Sequence, residues 1–349
     1  MEDWSSDRPI RSDAGVLNAD LNPEFLHVSY RGMLRLVIRA AAKRHLLVLI
    51  TCHRLRRSYK SDASPFSWPG TWNGLWYENN GDGAAHGQRV MSEKLVAELW
   101  SGVASTFCSE WNVFGVDLMN EPHNGVWGTS SSKYYREHEH SGTDWSVGAA
   151  KLGNAVLQSC SRLLIFVEGT AEHETEWGES FKSAKQKGLM DWGPVVLTNM
   201  SKLVLSPHSY GPSLYGTDPA LWRWFPKRFS SSKFPRKLPG YWEDNYGFIP
   251  ETGLRLPMVV GELGGDMICC KIPAMYSPGA DALYQLELLT YLRNKGVGFF
   301  YFCLNPSSHD TGGILLDDWR TPNFEKLRLI LSLSKASRVV PAAGPAGLT

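Results

Sequence analysis

Apolar runs recur along the 349-residue chain, and each is followed by a stretch with helical spacing. Leu46–Thr51, Val113–Met119, Leu163–Val167, Leu203–Ser206, Pro257–Gly261 and Gly298–Leu304 are short and continuously apolar, the pattern of strands buried on both faces. Between and around them, Phe25–His45, Val90–Ser109, Asp144–Ser159, Ala280–Lys295 and Asn323–Ser334 read as helices. In the first of these, Leu34, Val37, Ile38 and Ala41 fall at helical spacing, with Arg31, Arg35, Arg39 and Lys43 elsewhere. Asp144 stands where an N-cap is expected. Strands alternating with helices predict βαβ units and a parallel sheet.

Two architectures fit such a sheet, a (β/α) barrel and a doubly wound sheet. The strand ends decide between them. The six runs lead into His53-Arg54, Asn120-Glu121, Glu168, His208-Ser209-Tyr210, Glu262 and Asn305. A barrel gathers all its strand C-termini on one face, where its active site lies. A doubly wound sheet concentrates its site at one switch point and usually brings a Gly-rich phosphate loop, and none is seen here. The fold class predicted is α/β, a TIM-type (β/α)8 barrel with about six recognisable strands. It occupies residues 24–334, after an irregular segment 1–23 and before a disordered tail 335–349.

Charge and composition narrow the partner. With 36 Lys+Arg against 35 Asp+Glu the net charge is +1, so no basic field favours nucleic acid. No apolar run approaches the ~18 residues of a membrane span, and residues 1–15 carry no signal-peptide pattern. The chain holds 14 Trp, 13 Tyr and 14 Phe. Such rings stack on sugar faces or fill large cores. The six cysteines show neither C-x-x-C nor zinc spacing. Cys52 and Cys303 lie in apolar runs and read as buried thiols, and one or two disulfides remain compatible with the rest. A monomer is expected, with neither cofactor nor metal.

Glu121 and Glu262 are the candidate catalytic pair. One carboxyl that donates a proton and one that attacks an anomeric carbon are what retaining glycoside hydrolysis needs. The segments GVDLMNEPHNGVWG, LLIFVEG, SPHSYGPSLY, VVGELGG and NPSSHDTGGILLDDW occur in the order and spacing of glycoside hydrolase family 5. The chain resembles the bacterial-type endo-β-1,4-glucanase branch of that family from about Leu17 to Phe324.

The resemblance implies a set of roles. Glu121 is the acid/base and Glu262 the nucleophile. Asn120 binds the sugar 2-hydroxyl, His53 binds a substrate hydroxyl, Tyr210 donates to Glu262, and His208 contacts the acid/base side. Trp76, Phe302 and Asn305 complete the substrate-binding set; by their place in loops after strand ends, Trp127 and Trp177 are either further sugar platforms or hydrophobic caps of the barrel. Glu168 and Arg54 are supporting residues. The implied activity is endo-cleavage of a β-1,4-glucan such as cellulose, and the implied partner is a polysaccharide or oligosaccharide. Mannan, xyloglucan and glycolipid sugars are alternatives, since the family's catalytic pair serves them too. By the same resemblance a complete version of the protein is extracellular.

Three departures stand beside it. The match begins just before the family's third strand, so strands 1 and 2, and the strand-2 arginine that orients the nucleophile, have no counterpart in the sequence. Phe302 stands where the family has a Trp, and Leu304 replaces a further aromatic. Thr51 stands where the family often has an acidic residue. Two alternatives to an active hydrolase follow: the missing arginine fits a carbohydrate-binding remnant without turnover, and the missing first strands and signal-peptide pattern fit a truncated sequence of a secreted cellulase.

Overall fold

The computed structural model describes residues 4, 20, 22–55, 76–77, 90–122, 125–128, 143–171, 177–215, 226–267, 279–306, 308 and 311–333. Among them are six strands: β1 (Val48–Thr51), β2 (Val113–Asp117), β3 (Leu164–Val167), β4 (Leu203–Leu205), β5 (Val259–Leu263) and β6 (Gly298–Tyr301). β1 to β4 form one parallel sheet in chain order, and β5 pairs in parallel with β6. Parallel bridges at Leu205–Met258 and His208–Glu262 join β4 to β5. The six strands therefore follow one another side by side in sequence order, as in a (β/α) barrel.

Five longer helices pack on this wall: α1 (Tyr30–Ala42), α2 (Glu93–Phe107), α3 (Trp145–Ser159), α4 (Ala280–Lys295) and α5 (Phe324–Leu333). Their starts have local causes. The hydroxyls of Ser29 and Ser92 accept from Gly32 N–H and Leu95 N–H, satisfying donors that the first turn leaves open. Asp144 Oδ1 accepts from Ser146 N–H and from Gly128 N–H, 3.0 Å each, so one cap also ties the preceding loop to α3. α4 ends on Gly296 at φ 69°, a left-handed position suited to glycine. α2 buries Leu95, Val96, Trp100, Val103, Ala104 and Phe107, and α3 buries Trp145, Ala149, Leu152, Val156 and Leu157, as helical periodicity requires.

The C-terminal ends of α2 and α3 are fastened twice. Cys108 and Cys160 form a disulfide with Cα atoms 5.7 Å apart. The Arg162 guanidinium donates to the carbonyls of Phe107, Cys108, Glu110 and Val113, occupying acceptors beyond the end of α2. Cys52 and Cys303 are free and buried.

Some boundaries differ from the sequence expectation. Leu46 and Leu47 are exposed and precede β1 rather than opening it. β6 stops at Tyr301, and Glu262 lies within β5 rather than after it. α1 is shorter than Phe25–His45 because Pro23–Phe25 makes a separate 3-10 turn before the Ser29 cap. Short helical turns at Lys182–Gln186, Leu238–Trp242 and Glu243–Gly247 were not anticipated. Of the expected N-terminal segment, Trp4 is buried against Phe107 and its carbonyl accepts from Arg31. The expected tail 335–349 lies outside the described residues.

β1 and β6 each pair on one side only among the described residues. Phe166 of β3 meets Phe114 of β2 and, at 6.4 Å, Phe300 of β6. Phe300 is nevertheless 38% exposed. The Phe300 ring, although it meets the interior ring of Phe166, is thus partly open to solvent.

Candidate active site

The strand ends bring the predicted residues to one place. Ser209 N–H donates to the Glu262 carbonyl at 2.9 Å and Gly261 N–H to the Pro207 carbonyl at 2.8 Å, which sets His208 and Tyr210 alongside Glu262. Asn120 N–H donates to the Cys52 carbonyl at 3.0 Å, bringing the end of β1 to the end of β2. Glu121 takes a left-handed backbone, φ 47°, a costly conformation for a residue with a side chain. Its N–H is held there by Glu168 Oε2 at 2.7 Å.

His208 is the hub. Its Nδ1 lies 3.1 Å from Glu121 Oε1 and 3.6 Å from Glu262 Oε2, and its Nε2 lies 3.2 Å from Glu168 Oε1. Burial alone lowers the basicity of the ring, but Glu168 and Glu262 outweigh it and His208 is raised well above the usual imidazole range. Tyr210 donates to Glu262 Oε2 at 2.6 Å. Burial, reinforced by Glu262 and Glu121, raises its phenol well above the ordinary value, so it remains a donor. His53 goes the other way. Burial lowers it, with Arg54 and His208 adding to the effect, against the pull of Glu262 and a hydrogen bond with Asn120.

Glycine is required at one wall of this site. Gly178 has φ 75°, and a Cβ there would lie 2.8 Å from Glu168 Oε2, 3.2 Å from His208 Cγ and 3.3 Å from Glu121 Cγ. Phe302 meets Tyr210 edge-on, ring centroids 6.4 Å apart, so it reaches the same corner as Glu262. Asn305 follows β6, where its carbonyl accepts from Cys303 Sγ. Arg54 is exposed beyond β1.

Carboxylate oxygens of Glu121 and Glu262 and a ring nitrogen of His208 all lie within 4.8 Å of one another, as do the corresponding atoms of Asp117, Glu168 and His208. Either triad is close enough to surround a small cation. Glu121, Glu168 and His208 also satisfy one another as hydrogen-bond partners.

The model of the cellulase family, glycosyl hydrolase family 5, matches residues 22–308. The chain belongs to glycosyl hydrolase family 5. Among its relatives, an endoglucanase of Paenibacillus polymyxa is 28% identical over 90% of this chain and 67% of its own length. The major extracellular endoglucanase of Xanthomonas campestris is 32% identical over 66% of this chain, which spans 42% of that protein. The catalytic domain of the Xanthomonas enzyme superposes with a TM-score of 0.72 at 26% identity, covering 95% of this chain and 81% of the domain. A hyperthermophilic endocellulase from Pyrococcus horikoshii gives 0.71 at 28% identity over 94% and 78% of the two chains, and its cellotetraose complex gives 0.70. The fold is accordingly of the family's (β/α)8 class, and the described residues supply six of its strands.

Within this family-5 site the aromatic expectations need correction. Trp76 is 3% exposed and packs on Gly148 of α3, where a Cβ would collide with its indole, so it offers no face to a sugar. Trp127 is fully buried, stacked on Phe181 and donating to the Ser180 carbonyl. Trp242 is buried against Tyr284 and Tyr291. These rings serve the core, as large apolar surfaces do by default. Trp68, Trp72, Trp222 and Trp224, further loop tryptophans that could line a polymer groove, lie outside the described residues.

Two site residues escaped the sequence reading. Asp117, the last residue of β2, is buried behind Glu168. Its signal was an acidic residue inside the otherwise apolar VFGVDLM. Glu179, fully buried beside Gly178, accepts from Ser209 Oγ at 2.9 Å and from the Tyr241 hydroxyl, and Tyr246 and Tyr284 also meet Ser209 Oγ. This polar cluster braces the residue between His208 and Tyr210.

Proposed function

We propose that the chain is a retaining endo-β-1,4-glucanase acting on cellulose-like glucan. The observation that carries this reading is the approach of Glu121 and Glu262, whose carboxylate oxygens come within 4.8 Å. Retaining glycosidases hold the two carboxyl groups ~5–5.5 Å apart, whereas an inverting pair stands ~6.5–9.5 Å apart to admit a water. Glu262 attacks the anomeric carbon while Glu121 protonates the departing glycosidic oxygen, leaving a glycosyl ester on Glu262. Glu121 then takes a proton from water, whose oxygen attacks the same carbon and releases Glu262. Asn120, His53, Phe302 and Asn305 line the substrate side, with Arg54 at its edge. Glucan as substrate is supported by relatives described as endoglucanases and by the cellotetraose complex of the Pyrococcus enzyme.

The barrel, residues 24–334, acts as a monomer in this reading. An extracellular setting is supported by the Cys108–Cys160 disulfide, a bond favoured in oxidising compartments, and by the extracellular Xanthomonas relative.

A second reading, sugar binding without turnover, has one observation in its favour. Among the described residues no arginine hydrogen-bonds to Glu262, whose carboxylate accepts from Tyr210 and lies 3.6 Å from His208 Nδ1.

Hydrolysis of carboxymethylcellulose, with the anomer of a cellotetraose product followed by proton NMR, tests the assignment. Initial β-anomer that Glu262→Gln abolishes is expected. Initial α-anomer rejects retention, and calorimetric binding of cellotetraose without hydrolysis selects the second reading.

A further inference from the structure

Behind the catalytic pair, β2 and β3 each carry an acidic side chain to the level of His208. Asp117 and Glu168 are 4% and 1% exposed. A carboxyl oxygen of each lies within 4.8 Å of the other. Two ionised carboxylates buried that close repel each other, so one of the two carries a proton. The surroundings decide which. Glu168 receives Glu121 N–H at Oε2 and lies against His208 Nε2 at Oε1, two donors suited to an anion. Asp117 Oδ1 is buried and receives no hydrogen bond among the described residues. An ion at Asp117 would be desolvated without compensation, whereas a neutral carboxylic acid there has an acceptor for its proton in Glu168.

We propose that Asp117 is a standing carboxylic acid whose O–H donates to Glu168, and that it acts as a positioning residue, keeping Glu168 ionised against His208 Nε2 and so holding the proton that His208 Nδ1 shares with Glu121. The inference rests on the catalytic reading of Glu121 given above. The titratable groups around this unit are Glu121 and Asp117 from β2 and its end, Glu168 from β3, Tyr210 beyond β4, Glu262 from β5, and Cys52 and His53 beyond β1. Burial is the largest influence on Asp117 and raises it well above the carboxylate range; Glu168 and Glu262 add to this and His208 opposes it. Burial likewise raises Glu168, to about 7.

The arrangement has a directional consequence. An ionised Glu168 stabilises the proton on the His208–Glu121 unit, and that proton belongs to the unit rather than to one residue. Without the Asp117 donor, Glu168 binds a proton itself, the unit loses its anionic neighbour, and its own proton leaves at lower pH.

The test compares kcat/KM against pH for the wild type, Asp117→Asn and Asp117→Leu. The Asn amide still donates to Glu168 and the Leu side chain does not. Asp117→Asn is expected to keep the alkaline limb within about 0.3 pH unit. Asp117→Leu is expected to move it about one unit toward lower pH. Equal shifts in both variants, or a folded Asp117→Leu with the limb in place, overturn the proposal. A uniform loss of rate at every pH is what mere support of the fold would give, and it also counts against the proposal. Infrared difference spectra of wild type and Asp117→Asn at pH 7, without substrate, supply a readout independent of turnover and of whether Asp117→Leu folds. A protonated-carboxyl C=O band present in the wild type and absent in Asp117→Asn is expected, and its absence from the wild type refutes the standing acid. An inactive wild type that still shows the band would instead overturn the hydrolase reading.

Discussion

Replacing Tyr210 with Phe removes one oxygen and leaves the ring, with its edge-on contact to Phe302, in place. The lost hydroxyl donates to Glu262 Oε2 at 2.6 Å. His208 Nδ1, at 3.6 Å from the same oxygen, is too far for an effective hydrogen bond. The Glu262 side chain is only 17% exposed, so water replaces the missing donor poorly. A hydrogen bond to a charged group contributes roughly 1.5–3 kcal/mol, which corresponds to about a 10- to 150-fold loss of kcat/KM. The hydroxyl is spent on Glu262, the proposed nucleophile, so the loss is expected in kcat, with KM changing less than about threefold. Initial rates on a soluble cellodextrin measure both, and a melting temperature close to wild type shows that the fold is intact. An unchanged kcat/KM, or a loss confined to KM, would refute the assignment of Tyr210 as the donor that orients Glu262.

Gly178→Ala forces a side chain into a left-handed backbone and pushes a methyl against Glu168, His208 and Glu121; the backbone term costs about 1–2 kcal/mol of stability, while kcat/KM is expected to fall more than about tenfold through displacement of the carboxylates, as steady-state kinetics beside calorimetry will show. Removing the Cys108–Cys160 bond in a double Ala variant reopens a loop with 52 residues of separation, an entropy worth ~4 kcal/mol. Calorimetry should show the lower melting temperature, and activity at 25 °C should persist because the bond sits at the helix ends opposite the catalytic face. Stability should fall as pH rises from about 4 to 7, because burial raises the Asp281 carboxyl to about 7, and a folded state that holds a proton the unfolded chain has released loses that advantage across this window. The raised His208 acts in the same direction above its unfolded value near 6.5. Melting temperatures of Asp281→Asn across this range should show a shallower decline, and an identical slope would remove Asp281 from the account.

The strand-end pattern carried most of the fold, and the reason is physical. A parallel strand buried on both faces is a short apolar run, and the first polar residue after it marks the barrel face where loops converge. That Asn120, Glu121, Glu168, His208 and Tyr210 come together at one face was legible for that reason. Trp76 was misread because a tryptophan in a loop between two elements carries no mark of which way it turns. Gly148, the small residue that makes room for it, lies 72 positions away on α3. The Cys108–Cys160 pairing was equally closed to sequence reading, since it depends on two helix ends meeting in space. Asp117 is the instructive miss. An acidic residue inside an apolar run has to be neutralised, paired or protonated, so its presence in VFGVDLM already implied a partner at the end of a neighbouring strand. The parallel register puts Asp117 opposite Phe166, two residues before Glu168. A second buried carboxyl near that level leaves protonation as the one inexpensive solution. The same argument ties the pair to function, because the proton that makes Asp117 tolerable in the core is also what leaves Glu168 free to serve as the anion behind His208.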